Sequence, residues 1–169
     1  MQKGRPASNR LPADDGAPAG AYEIDISIRD QLLILRSGDQ VVRSYPVSTS
    51  RFGLGTKAGS KKTPLGRFQV GQKIGHGMPQ GTVFQGRVAL RPEEPLPQTE
   101  DLITSRILWL DGLEADNANT KQRYIYIHGT KHEDRIGRPD SHGCIRMRNP
   151  DVIELFDLVQ EGTPVQITD

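Results

Sequence analysis

The residues best suited to chemistry lie close together near the C-terminal end of this chain. Its one cysteine, Cys144, follows Ser141-His142-Gly143, and a second histidine, His128, stands sixteen positions upstream. A lone cysteine cannot close an intramolecular disulfide, so either packing or reactivity must account for it. Cys144 does not sit inside an apolar run. It follows a glycine and a histidine and precedes Ile145-Arg146-Met147-Arg148. A polar, cationic setting of this kind lowers a thiol pKa and populates the nucleophilic thiolate. Cys144 is therefore read as a nucleophile with a depressed pKa.

A thiol nucleophile works best with a base in hydrogen-bond reach and a third group that orients the base. His128 ends the apolar run Tyr124-Ile125-Tyr126-Ile127 and is the candidate base. The carbonyl of Gly129 could accept the other ring N–H and so fix the tautomer. His142 is open to three readings: base, donor to a substrate carbonyl, or support for the loop. The N–H groups of Gly143 and Cys144 are candidates for an oxyanion hole. Arg146 should share a face with Cys144 if the segment is extended, where its planar fork would grip a substrate carboxylate.

A metal site competes with this reading, since His128, His132, His142 and Cys144 are all zinc-ligand types. The i, i+4 spacing of His128 and His132 matters only on a helix, and Gly129, Gly137 and Pro139 argue against one there. A thiolate, a base and an oxyanion hole suffice for acyl transfer, so no metal and no organic cofactor is expected. His76, within Gly75-His76-Gly77, reads as an ordinary surface histidine.

The elements that must position these groups can be read from the apolar periodicity. Met1–Gly20 is rich in Pro, Ala, Gly, Asp and Asn and is expected to be a flexible tail, leaving residues 21–169 as one domain. Tyr22, Ile24, Ile26 and Ile28 alternate with polar residues, the period of a half-buried strand. Gln31–Arg36 and Val41–Val47 read as the next two strands, joined by a turn at Ser37-Gly38-Asp39. A long loop, Ser48–Lys62, leads to Thr63-Pro64-Leu65-Gly66 and a strand through Phe68 and Val70. Short apolar runs follow at Arg87–Leu90 and Ile107–Leu110, and a strand over Arg123–Ile127 delivers His128. One helix is expected after the cysteine. Asn149 would cap it, Pro150 suits its first position, and Val152, Leu155, Phe156 and Val159 fall on one face. Gly162 should end it before a last strand at Pro164–Ile167.

Charge adds a hint about substrate. The formal net charge of +1 gives no support to nucleic-acid binding. Yet no acidic residue occurs between Gln40 and Pro92, which carries Arg43, Arg51, Lys57, Lys61, Lys62, Arg67, Lys73, Arg87 and Arg91. That stretch is either a solvated basic face or a cleft wall that attracts an anion. No stretch has the length and apolarity of a membrane span, and Met1–Gly20 lacks the apolar run of a secretory signal.

Ile127-His128-Gly129-Thr130, then Ser141-His142-Gly143-Cys144-Ile145-Arg146-Met147, resembles the catalytic signature of the L,D-transpeptidases. Tyr45-Pro46-Val47-Ser48-Thr49-Ser50 and Thr63-Pro64-Leu65-Gly66-Arg67-Phe68 are similar to that family's upstream segments. The resemblance implies a mainly β fold, a β-sandwich of mixed sheets with one C-terminal helix. It implies a Cys144 acyl-enzyme on the tetrapeptide stems of peptidoglycan, passed on to an amine acceptor. His128 then falls at the base and Gly129 at the orienting carbonyl, with His142 and Gly143 beside the nucleophile and Ser141 and Arg146 toward substrate. The expected partner is the stem peptide and the expected state a monomer, in the periplasm or wall, with the cytoplasm left open. Two alternatives remain: an L,D-carboxypeptidase or other muropeptide hydrolase on the same residues, and a non-catalytic wall-binding module.

Overall fold

The computed structural model describes residues 21–169, so the expected tail at 1–20 lies outside the described residues. Alternating apolar positions build the first hairpin: β1 (Tyr22–Ser27) buries Ile24 and Ile26, and β2 (Leu32–Ser37) buries Leu33 and Leu35. They pair antiparallel, and β3 (Gln40–Ser48) adds on the other side of β2. The chain continues through β4 (Gly66–Ile74), the short β5 (Val83–Gln85) and β6 (Val88–Ala89), and the long β7 (Ile103–Gly112). Then come β8 (Tyr126–Gly129), β9 (Ile145–Met147), the helix α1 (Asn149–Leu158) and β10 (Pro164–Thr168).

The strand order is β4-β10-β1-β2-β3-β9-β8-β7, and β4 also pairs with β7, so the sheet closes on itself. The β5–β6 hairpin branches from β7. The sheet is mixed: β1 with β10 and β8 with β9 run parallel, and every other pair is antiparallel. The mainly β fold with one C-terminal helix is thus present, and its packed faces belong to one continuous curled sheet. Closure leaves these eight strands without a free edge to recruit another chain.

The main core joins Ile24, Ile26, Leu33, Leu35, Phe68 and Val70 to Leu108, Ile127, Ile145 and the apolar side of α1. Val152, Leu155 and Phe156 supply that side, and each contributes about 1.5–3 kcal/mol by burial. This outweighs the ~1 kcal/mol of a side-chain N-cap, and α1 indeed has none. The expected cap, Asn149, is instead the first helical residue, with Arg148 at the N-cap position. The expected strand over Arg123–Ile127 begins only at Tyr126, because Tyr124 takes a left-handed φ of 55° in the turn before it. Of the described helices, none is long and apolar enough to cross a membrane.

Candidate active site

Strand alternation divides β7, β8 and β9 into a core side and a site side. Ile127 lies opposite Ile145, His128 opposite Arg146, and on β7 Ile107 opposite His128 and Trp109 opposite Tyr126. Leu108, Ile127, Ile145 and Met147 face the main core. Ile107, Trp109, Tyr126 and Cys144 gather in a second, smaller cluster. In adjacent strands paired in register, side chains at facing positions project from the same face. Tyr126, His128, Cys144 and Arg146 therefore share one side of the sheet, with the aromatic wall of Trp109 beside them.

The nucleophile turn is held from outside. Ser141 lies beside Ser50 in a parallel bridge, and the N–H groups of Asp140 and Ser141 both donate to the Thr49 carbonyl at 2.9 Å. Arg51 N–H returns a bond to the Ser141 carbonyl at 3.1 Å, and Thr63 Oγ1 donates to the Gly143 carbonyl at 3.0 Å. The two upstream segments thus serve as braces for the cysteine turn. Gly143 has a φ of 121°, and a Cβ there would stand 3.3 Å from the Lys62 carbonyl, so both backbone angle and space call for glycine.

Cys144 Sγ accepts a bond from Tyr126 N–H and donates to the Tyr124 carbonyl, each at 3.3 Å. His128 is fully buried, and its Nδ1 lies 2.5 Å from the Gly129 carbonyl. A carbonyl only accepts, so Nδ1 carries the proton and Nε2 presents its lone pair. Nε2 has no hydrogen-bond partner among the described residues. The cysteine and histidine thus share a face without being hydrogen-bonded to each other, as resting sites often are. A Cβ on Gly129 would come within 2.5 Å of Asn149 Oδ1, so glycine also admits the asparagine that locks this corner. Asn149 Oδ1 accepts from Thr104 Oγ1 and Ser105 Oγ, while Nδ2 donates to the Thr130 carbonyl and Glu133 Oε1.

The electrostatics correct the sequence reading of a depressed thiol. Burial, assisted by the charge of Asp101, pushes Cys144 up to about 12, against the Tyr126 N–H, Arg146 and Arg123. Burial likewise pushes His128 below its ordinary range, although Asp101 and the Gly129 carbonyl oppose it. Burial therefore works against both the thiolate and the imidazolium at rest.

Three substrate-facing assignments change as well. Arg146 is 1% exposed, and its guanidinium is engaged by Asp101 through Nε at 2.8 Å and by Asp140 through Nη1 at 2.6 Å. It lies on the expected face but is occupied, so it ties the 92–104 and 130–141 loops together instead of gripping a substrate carboxylate. Burial would raise the Asp140 carboxyl, yet hydrogen bonds and charge from Arg146 and Arg135 hold it below the usual range. Ser141 Oγ donates to the Cys144 carbonyl at 2.6 Å and accepts from Gly143 N–H at 3.2 Å, which makes it a staple within the turn. The same bond occupies Gly143 N–H, leaving Cys144 N–H as the oxyanion candidate of the two. The His142 ring packs against Phe52 with centroids 5.9 Å apart, favouring the loop-support role among the three left open. His128, His132, His142 and Cys144 are not gathered for a metal: the described residues contain no group of three or more His, Cys, Asp or Glu placed to hold one.

Sequence reasoning missed Asp101, Asp140 and Tyr126, and the site role of Asn149. The Asn-Pro pair that suggested a helix cap was the visible signal for Asn149, and the two aspartates left none, since they approach Arg146 only through folding.

The fold, a curled mixed sheet with one C-terminal helix, matches known proteins. An L,D-transpeptidase from Xylanimonas cellulosilytica shares the fold with a TM-score of 0.59 at 18% identity, over 93% of this chain and 63% of that one. The YkuD protein of Bacillus licheniformis is 30% identical over 148 residues, 87% of this chain and 66% of the relative. Its Bacillus subtilis counterpart is 30% identical over 147 residues, 86% of this chain and 65% of the relative. The chain thus spans just under two thirds of the length of these curated relatives. Residues 21–167 match the sequence profile of the YkuD L,D-transpeptidase catalytic domain, and the chain belongs to that family.

Proposed function

We propose that this chain is a peptidoglycan L,D-transpeptidase acting through a thioester on Cys144. The observation that carries the reading is the placement of Cys144, just before β9, on the sheet face that carries His128, the imidazole fixed by Gly129 with its basic nitrogen free. The thiol proton passes to His128 Nε2 as Sγ bonds to the carbonyl carbon of the stem peptide's third residue. The oxyanion is met by the Cys144 N–H. Collapse breaks the C–N bond, and His128 returns the proton to the departing amine of the terminal D-alanine. An acceptor amine then attacks the thioester, His128 takes its proton, and the thiol is regenerated when that proton moves to sulfur. Because burial works against both charged forms, proton transfer accompanies attack, which places the burden of rate on His128 and not on a standing thiolate.

Stem peptides lie outside the cytoplasmic membrane, so this reading sets the activity in the periplasm or wall. The test is product analysis with a tetrapeptide donor and a peptide amine acceptor. Free D-alanine together with a crosslinked dimer is the expected outcome. Tripeptide without dimer at every acceptor concentration would replace transfer by hydrolysis, and no D-alanine at all would end the reading.

A further inference from the structure

With Arg146 withdrawn into its ion pairs, recognition of a substrate carboxylate must fall to another cation. We infer that Arg87, at the tip of the β5–β6 hairpin, binds a carboxylate of the acyl donor beside Cys144. The inference rests on the stem-peptide reading for the identity of the ligand, while the site itself rests on geometry.

Four observations converge on this residue. Arg87 Nη1 donates to Tyr126 Oη at 3.1 Å, and the backbone N–H of the same tyrosine donates to Cys144 Sγ. The same tyrosine thus meets the guanidinium with its phenol and the nucleophile with its backbone, which puts Arg87 at the outer end of the site wall. The guanidinium carbon lies 4.9 Å from the Trp109 ring centroid and 5.2 Å from that of Tyr124, so two aromatic faces fix its plane. Lys121 Nζ lies 5.3 Å from the same Trp109 ring, placing a second cation at this wall. Among the described residues no carboxylate forms a salt bridge with Arg87, so its guanidinium, unlike that of Arg146, is not already engaged by an anion.

The turn that holds Arg87 is itself specific. Gly86 and Arg87 both have positive φ, 55° and 66°, the left-handed pair that two-residue hairpins adopt. Arginine is a strained choice there, since asparagine and glycine take that conformation more readily. A strained side chain held over the aromatic wall that flanks the site is the kind of outlier that points to function. Arginine stacked in this way retains donors for a planar, two-point contact with a carboxylate, which lysine could not reproduce.

The donor offers two such groups, the terminal carboxylate and a side-chain carboxylate, and the test separates them. Donor consumption is measured for the full chain and for Arg87→Gln and Arg87→Lys on three tetrapeptides: free, C-terminally amidated, and side-chain amidated. Arg87→Gln should lose about tenfold in kcat/KM on the free donor. It should lose little on the one donor whose amide replaces the recognised carboxylate, and that arm identifies the group. Arg87→Lys should recover only part of the loss. Equal losses on all three donors, or none, would make Arg87 a structural residue and overturn the inference. A binding readout does not depend on turnover. Trp109 is the only tryptophan, so its fluorescence should respond to N-acetyl-D-alanine more than to the corresponding amide, and the difference should vanish in Arg87→Gln. A carboxylate response without any donor turnover would refute the transpeptidase reading and leave the Arg87 site standing. An equal response to acid and amide, together with equal kinetic losses, would refute the site alone.

Discussion

Replacing His128 by Gln is expected to slow acylation of Cys144 by about 10²- to 10⁴-fold, the range spanned by positioned general bases. The reason is the resting protonation of the site. With the thiol pushed up to about 12, almost no thiolate exists at neutral pH, and Nε2 must remove the proton during attack. The sign of the pH dependence follows. His128 is held below its ordinary value of 6.5, so the base stays unprotonated as pH falls through that range. Activity of the wild-type protein should therefore persist below pH 6.5 and disappear only as pH falls through the lowered folded value. In His128→Gln the residual rate depends on the rare thiolate, and it should climb about tenfold per pH unit toward the thiol pKa. The same burial couples to stability: unfolded His128 takes up a proton near 6.5 and the folded residue resists, so stability is lost as pH falls below that point. Stopped-flow acylation across pH checks the kinetic claim. A variant as fast as wild type, or a residual rate indifferent to pH, would remove His128 from the role of base.

Arg146→Met is expected to cost about 3–5 kcal/mol of stability, because it strands Asp101 without a cation and leaves Asp140 only the longer contact to Arg135. For a domain of this size that corresponds to a fall in Tm of roughly 8–15 °C. Combining it with Asp101→Asn and Asp140→Asn should restore part of the loss, since the uncompensated charges are then gone. Thermal melts of the single and triple variants, with donor kinetics on free and amidated peptides, test this directly. A stable Arg146→Met that loses only the free-carboxylate donors would reinstate arginine as a substrate contact.

Much of the fold was legible because its signals are local. Ile24 and Ile26, Leu33 and Leu35 alternate in the chain as they do in the sheet, and Val152, Leu155 and Phe156 repeat at helical spacing. The cysteine turn and His128 were legible for another reason, since few roles suit a lone cysteine in a polar run. What escaped was set by contacts between distant residues. Arg146 looked like a free cation raising the reactivity of Cys144, but after folding Asp101 and Asp140 engage it, and burial together with Asp101 outweighs its pull on the thiol. The thiol setting looked polar from its chain neighbours, whereas in space Cys144 packs against the apolar cluster of Phe84, Ile107 and Tyr126. The closure of β4 on β7 likewise has no local sign. Asn149 was misread because asparagine before proline suits a cap, and its side chain is drawn instead to Thr104, Ser105, Thr130 and Glu133.

The central claim is that Cys144 carries the acyl group, and intact-mass spectrometry tests it most directly. The wild-type chain is mixed with a tetrapeptide donor in the absence of acceptor and quenched in acid within the first turnover. The account requires a mass increase equal to the tripeptide acyl group, on the peptide containing Cys144, absent from Cys144→Ala and released by hydroxylamine as a thioester should be. The same adduct on Cys144→Ala, or donor turnover that proceeds in that variant, would contradict it.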